Sequence, residues 1–247
     1  MEEGKANVRA VDRALDILLC FTTGTDYAMT EIAEKVGLHK STVHRMLATL
    51  EDKGFIERDP ATDRYHLGIR VWELSAYLST TDDPAVILQP EMERLRDKLG
   101  ETVSLYVRDG LERIRIQAVQ SNQPVRRVAP VGARLPLYAG ASSKVLLAYA
   151  DAYVREQIMN DPTWLASIDP DPYKQQLEEI LNQGYATSFE ERESGVAAIS
   201  APIINRNGRL AAALSLSGPA SRLTLALMRE YAPIIMESAK RMGTMMK

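Results

Sequence analysis

The sequence predicts an α+β protein in two parts: a short helical head ending in a hairpin, then a helical connector leading to a longer part built on an antiparallel sheet. Three observations carry this. Apolar residues recur at helical spacing in three short segments, which stop at Gly24, Gly37 and Gly54. Two extended runs flank Asp59-Pro60-Ala61-Thr62-Asp63. Beyond residue 80, helical patterns mix with extended runs, two of them joined by the turn dipeptide Asp109-Gly110 and two by Asn205-Arg206-Asn207-Gly208.

Taken in order, residues 8–22 place Val11, Leu15, Leu18 and Leu19 at helical spacing. Thr30 and Glu31 suit the start of a second helix, and Ser41 that of a third with Val43, Met46, Leu47 and Leu50 inward. Residues 55–58 and 64–67 form the hairpin, and 68–80 a helical connector. The second part should hold a helix near 84–99, strands at 102–108 and 113–119, and a basic loop from Pro124 to Pro136. Helices follow near 142–150, 151–159 and 171–183, then strands at 185–188, 197–204 and 210–216, and a final helix from Ser221. Domain limits are therefore set at 1–67, 68–80 and 81–247.

Composition narrows the function classes. The 247 residues are 45% hydrophobic and 26% charged, ordinary for a globular chain of one or two domains. A net charge of −3 excludes a bulk polycation that holds nucleic acid by charge alone. The single cysteine, Cys20, excludes a disulfide framework and a cysteine-based zinc module, and fits a reducing, cytoplasmic setting. No apolar run reaches the roughly 18–20 residues of a membrane span, and the acidic start Met-Glu-Glu-Gly-Lys has no signal core behind it, so no membrane partner is expected.

The segment from Thr30 to Leu50 has the offsets of a helix-turn-helix. Ala33 is small where one helix crosses the other, Gly37 can take the left-handed turn position, and Val43 can lock the second helix down. Opposite Val43, a 100° step per residue places Ser41, His44, Arg45, Ala48 and Thr49. Arginine suits guanine in the major groove, and hydroxyls suit bases or phosphates. Lys40 and Thr42, at the helix start, complete the candidate DNA contacts on this helix. Arg58 and Arg64 of the hairpin, read as a wing, can reach backbone phosphates, although Asp59 and Asp63 stand close by in sequence. From Glu34 to Glu51 there is no intervening acid, while Lys35, Lys40 and Arg45 are present. A small basic reading head therefore sits in an otherwise acidic region.

These residues resemble the IclR family of bacterial transcription regulators. The resemblance is carried by RALDILLCF, by TEIAEKVGLHKSTVHRMLATLEDKGFIERDPATDRYHLG, and by four later blocks in the same order: LGETVSLYVRDG, VAPVGARLPLYAGASSKVLLA, GYATSFEERESGVAAISAPIIN and ALSLSGPASRLT. It implies a winged helix-turn-helix, a linker helix and a GAF-like α/β domain that binds a small organic acid. The positions it implies for that effector are Arg127, Ala141, Ser142, Ser188, Val196, Ala198, Ser215 and Ser217. A helix start with free amides, nearby hydroxyls and a basic loop would form an anion site. Ala198 and Ser143 depart from residues common in the family, Cys and Gly, so no relative's effector transfers directly.

Enzyme signatures are absent: there is no G-x-S-x-G elbow and no phosphate-binding glycine loop, and all three histidines precede residue 67. No metal or cofactor is expected. Glu190, Glu191 and Glu193 read as a solvated acidic loop, and Met242, Met245 and Met246 as a frayed helix end or subunit contact. The expected function is a ligand-responsive regulator on a palindromic double-stranded operator, at least a homodimer joined partly through the apolar faces of 8–22 and 68–80, and the resemblance implies a homotetramer on DNA. The alternative is a small-molecule sensor whose winged helix contacts protein rather than DNA.

Overall fold

The structure, a computed structural model, describes residues 8–78, 83–126, 128, 130–162 and 169–246. It divides into two compact units, residues 1–81 and 82–247.

The first unit holds α1 (Arg9–Cys20), β1 (Asp26–Ala28), α2 (Met29–Val36), α3 (Lys40–Asp52), β2 (Ile56–Arg58), β3 (Arg64–Leu67) and α4 (Ile69–Leu78). Ile17, Ile32, Val43, Leu47, Ile56 and Tyr65 close its core. Gly37 ends α2 at φ 63°, the left-handed turn its position demands. The start of α2 corrects the expectation. Thr30 does not cap it; the helix begins at Met29, and the Glu31 carboxylate accepts from the Ala28 amide at 2.7 Å. Similarly, α3 is capped by His39, whose ring accepts from the Ser41 amide at 3.3 Å, so Ser41 lies inside the helix. The hairpin has a third strand that sequence did not suggest: β1 pairs with β3, with Tyr27 opposite Tyr65. Val8, Val11, Leu15 and Leu19 of the α1 segment are more than half exposed, as are Ile69, Trp72 and Leu74 of α4. Residues 79–82, at the end of the expected connector, lie outside the described residues.

The second unit is a six-stranded antiparallel sheet in the order β6-β5-β4-β9-β8-β7. Its strands are β4 (Thr102–Asp109), β5 (Glu112–Val119), β6 (Arg134–Pro136), β7 (Ala186–Phe189), β8 (Val196–Ile204) and β9 (Leu210–Pro219). Its helices are α5 (Pro84–Ile87), α6 (Gln89–Leu99), α7 (Ala141–Ala148), α8 (Ala152–Met159), α9 (Pro170–Gln183) and α10 (Leu225–Met245). The single helix expected over 84–99 breaks at Leu88, because Pro90 has no amide to continue the ladder. The stretch read as loop before residue 137 contains β6, paired with β5. The last helix starts at Leu225, not Ser221, with the Thr224 hydroxyl accepting from the Leu227 amide. Met242 is fully buried in the main core, so it is neither frayed nor a subunit contact.

The two faces of this sheet differ because side chains alternate along a strand. One face carries Val103 and Leu105, then Ala197, Ile199, Ala201 and Ile203, then Ala212, Leu214 and Leu216. These pack with Met92 and Leu95 of α6 and with Met228, Ala232 and Ile235 of α10. The opposite face packs α7 and α9 around Tyr106, Ala186 and Ala213. Alternate positions there are small and polar: Ser104, Ser200, Ser215 and Ser217 are all buried.

Candidate DNA-reading helix and ligand cavity

On α3, Val43, Leu47 and Leu50 turn inward, which leaves Lys40, Ser41, His44, Arg45, Ala48 and Thr49 exposed and Thr42 half-buried. Lys40, His44 and Arg45 have no carboxylate partner among the described residues. Two hydroxyls are already engaged. Ser41 Oγ lies 2.8 Å from His39 Nδ1, and Thr49 Oγ1 donates to the Arg45 carbonyl at 3.0 Å. Thr42, Arg45 and Thr49 also border the seam beside Ala10 and Ala14 of α1. Lys35, counted in the basic head from sequence, instead lies over the Tyr27 ring at 4.9 Å from its centroid.

The wing arginines are not free cations. Arg58 is bound to Asp63, and this pairing raises its pKa. Arg64 donates to Asp26 at 2.6 Å and to Glu31 at 2.8 Å, tying the wing to β1 and α2. Asp59 has a separate task, accepting from the Ala61 amide and the Thr62 hydroxyl inside the turn. Each arginine is thus already partly neutralised, which weakens its pull on a phosphate.

In the second unit Ala141, Ser142, Ser188, Val196, Ala198, Ser215 and Ser217 all line one cavity of about 40 Å³. That volume has room for only a few waters and is far below the several hundred Å³ of a drug-sized site. Arg127 lies outside the described residues. The roof of the cavity is the start of α7, whose first-turn amides have no intrahelical acceptor. Gly140, at φ 98°, offers no side chain to cap them. The floor is the polar face of the sheet. Ser217 and Thr102 are directly opposite in the register of β9 and β4, and Ser217 Oγ is buried without a partner.

Sequence reading missed the principal cations of this cavity. Arg113 and Arg115 of β5 line it at 3% and 2% exposure, together with Tyr106 and Arg192. Both guanidiniums lie near the Tyr106 ring, 5.2 Å and 5.1 Å from its centroid. Arg115 Nε donates to the Tyr106 hydroxyl at 2.9 Å, and Arg113 Nη1 donates to Ser143 Oγ. Arg113 Nε is buried without a partner, and Arg113 has no ion pair among the described residues. Burial, reinforced by the Arg192 and Arg115 charges, pushes the Arg113 pKa down to about 10, so it remains charged at neutral pH. The signal was present in Glu112-Arg113-Ile114-Arg115-Ile116, where two arginines share one strand face with period two.

The acidic loop is not wholly solvated, contrary to expectation. Glu191 binds the buried Lys144 ammonium at 2.5 Å and accepts from the Gly140 amide at 3.4 Å. Glu190 accepts from the Gly195 amide at 2.6 Å, and Glu193 sits at the cavity edge, 3.5 Å from Arg192.

A helix-turn-helix with a basic, unpaired outer face, and a separate unit whose sheet holds an anion-receptive cavity, define a ligand-responsive DNA-binding transcription regulator. Family comparison agrees. The IclR helix-turn-helix domain matches residues 10–60, and the bacterial transcriptional regulator IclR C-terminal domain matches residues 76–244. The chain belongs to the IclR family. It is 31% identical over 246 residues to the HTH-type transcriptional regulator BhcR of Paracoccus denitrificans, covering 98% of this chain and 88% of that one. Among solved structures, an IclR regulator from Alicyclobacillus acidocaldarius aligns with a TM-score of 0.82 at 27% identity, covering 98% and 100% of the two chains. An IclR homolog from Microbacterium hydrocarbonoxydans, complexed with 4-hydroxybenzoate, aligns with a TM-score of 0.79 at 26% identity, covering 94% and 99%. Among the described residues of this chain, no helix is long and apolar enough to cross a membrane.

Proposed function

We propose that α3 reads a palindromic operator through Lys40, Ser41, Thr42, His44, Arg45 and Thr49, and that a small organic acid in the cavity beneath α7 controls this binding. The carrying observation is the outer face of α3, where Lys40, His44 and Arg45 stand exposed with no carboxylate on them among the described residues. Arg45 is the leading candidate for a bidentate base contact. Arg58 and Arg64 contribute weaker phosphate contacts, since each is already paired with a carboxylate.

One helix-turn-helix reads too few base pairs for useful specificity, so two-fold related copies are required. The exposed stripes Val8–Val11–Leu15–Leu19 and Ile69–Trp72–Leu74 support association as a dimer or a dimer of dimers. Residues 1–67 serve as the DNA-binding domain, 68–80 as the linker that carries the response, and 81–247 as the effector domain. A relative's structure holds a small aromatic acid, which supports an acid as the effector class here.

The cavity side of this reading requires the acid to prefer one of two arrangements of the paired DNA-binding domains. Gel-shift titration on the operator tests the DNA side. Wild-type affinity should fall steeply with salt, because each phosphate contact releases counterions. A flat salt response would favour a winged helix that binds protein instead.

A further inference from the structure

Three buried side-chain atoms lack a hydrogen-bond partner among the described residues: Ser104 Oγ, Arg113 Nε and Ser217 Oγ. Folded proteins satisfy nearly all such atoms, so three on one surface require an explanation. All three lie on the polar face of the second unit's sheet. Ser104 is opposite Ser215 in the register of β4 and β9, and Ser215, Ser217 and Arg113 all line the cavity beneath α7.

Arg113 sets the sign of the partner. It is 3% exposed, and no carboxylate pairs with it among the described residues. Its Nη1 donates to the neutral Ser143 hydroxyl, and its guanidinium lies 5.2 Å from the Tyr106 ring centroid. Burial lowers its pKa only to about 10, so the charge persists at neutral pH. A charge taken out of water is rarely left unpaired. The charges around it are already engaged: Lys144 holds Glu191, Arg192 meets Glu193, and Arg115 donates to the Tyr106 hydroxyl. Water satisfies a hydroxyl but does not balance a cation. Size sets the rest. The cavity measures about 40 Å³, room for a few waters. A single-atom anion, little larger than a water molecule, fits with the walls where they stand.

We propose that the cavity is a binding site for one small inorganic monoanion, chloride, held by the Arg113 guanidinium and the Ser217 hydroxyl. Arg113 supplies the balancing charge and the Nε donor, and the Ser217 hydroxyl rotates to donate to the ion. Gly140 keeps the guanidinium in place, since a Cβ there would stand 3.2 Å from Arg113 Nη2. The site stands whether or not an organic acid uses the same cavity, because the charge to be balanced belongs to the folded chain itself.

The test uses the full chain. Sodium gluconate, whose anion is too bulky for the cavity, is exchanged stepwise for sodium chloride at constant ionic strength, so that screening stays fixed. A ligand that binds only the folded state raises the melting temperature. Wild type should gain about 2–4 °C once chloride exceeds its dissociation constant several-fold. Arg113→Met keeps the length of the side chain but not the charge, and should lose this response. Ser217→Ala should need about tenfold more chloride for the same gain, having lost one donor to the ion.

Crystals of the wild-type chain grown in bromide give the direct answer: anomalous diffraction should place one bromide within hydrogen-bond reach of Arg113 Nε. This measurement needs no variant, so it decides the matter if Arg113→Met fails to fold. A cavity without bromide overturns the proposal. So does a wild-type melting temperature indifferent to the exchange, or either variant responding to chloride as wild type does.

Discussion

In the first unit, Arg58 and Arg64 lie on an exposed hairpin, and each is held against a carboxylate: Asp63 for one, Asp26 and Glu31 for the other. In the second unit, Arg113 is buried against the Tyr106 ring and a serine hydroxyl, with no carboxylate on it among the described residues. Folding stability alone would dictate the reverse. Water screens a surface guanidinium adequately, so a surface partner adds little. A guanidinium taken out of water needs its partner most. The contrast teaches that charge in the first unit is arranged for shape, fixing the wing to the helices, while the second unit leaves a buried charge facing its cavity.

Four substitutions break or sharpen this contrast. The largest effect is expected for Glu191→Ala. It leaves Lys144, which is 6% exposed, without the carboxylate at 2.5 Å, and should cost about 2–4 kcal/mol in chemical denaturation. A loss no greater than that of a surface pair would show that Lys144 finds water or another acceptor. Next comes Arg45→Ala, expected to weaken operator binding about tenfold to a hundredfold and to relax specificity at one base pair without changing the melting temperature. Unchanged operator affinity would remove Arg45 from the reading face.

Third is Glu91, which sits under Arg94 and Arg241. Burial pushes its pKa up, but hydrogen bonds from both arginines and from Ser238 outweigh this and hold it at about 2, below its usual 4.5. A depressed folded-state pKa gives stability that is present above 4.5 and lost as pH falls toward 2. Glu91→Gln should therefore flatten the dependence of melting temperature on pH in that window and leave the rest of the profile parallel. The smallest effect is expected for Asp63→Asn. Asparagine tolerates the φ of 58° found there, so only the exposed pair with Arg58 is lost. Melting temperature should not change, and any change in operator binding should be a gain, since Arg58 is then released toward phosphate.

Much of the architecture was legible because it rests on periodicity. The spacing of Ala33, Gly37 and Val43 placed the helix-turn-helix, and the alternating runs placed β4, β5, β8 and β9 within a few residues. The three-residue strands β1 and β6 escaped because so short a run has no period to detect, and their pairing is decided by β3 and β5. Seven of the cavity residues were named from the family resemblance, and the Leu-Ser alternation of Leu214 to Ser217 independently put Ser215 and Ser217 on one face. Arg113 and Arg115 were passed over for a physical reason. Charge on a strand is ordinarily a sign of the solvent face, and only the helices packed over this sheet show that the face is closed. Glu191 misled in the same way, since its partner Lys144 is 47 residues distant in sequence.

The alternation along β9 has a consequence for how such a chain can change over time. Leu214 and Leu216 hold the fold, while Ser215 and Ser217, their immediate neighbours, face the cavity. Adjacent residues thus serve different parts of the structure. A substitution at an odd-numbered position of this segment changes the cavity lining, and one at an even-numbered position changes the core. If the cavity holds the effector as proposed, new ligand preferences are reachable by single changes that leave the core intact. A one-residue slip of the strand, by contrast, would exchange the two sets and destroy both at once.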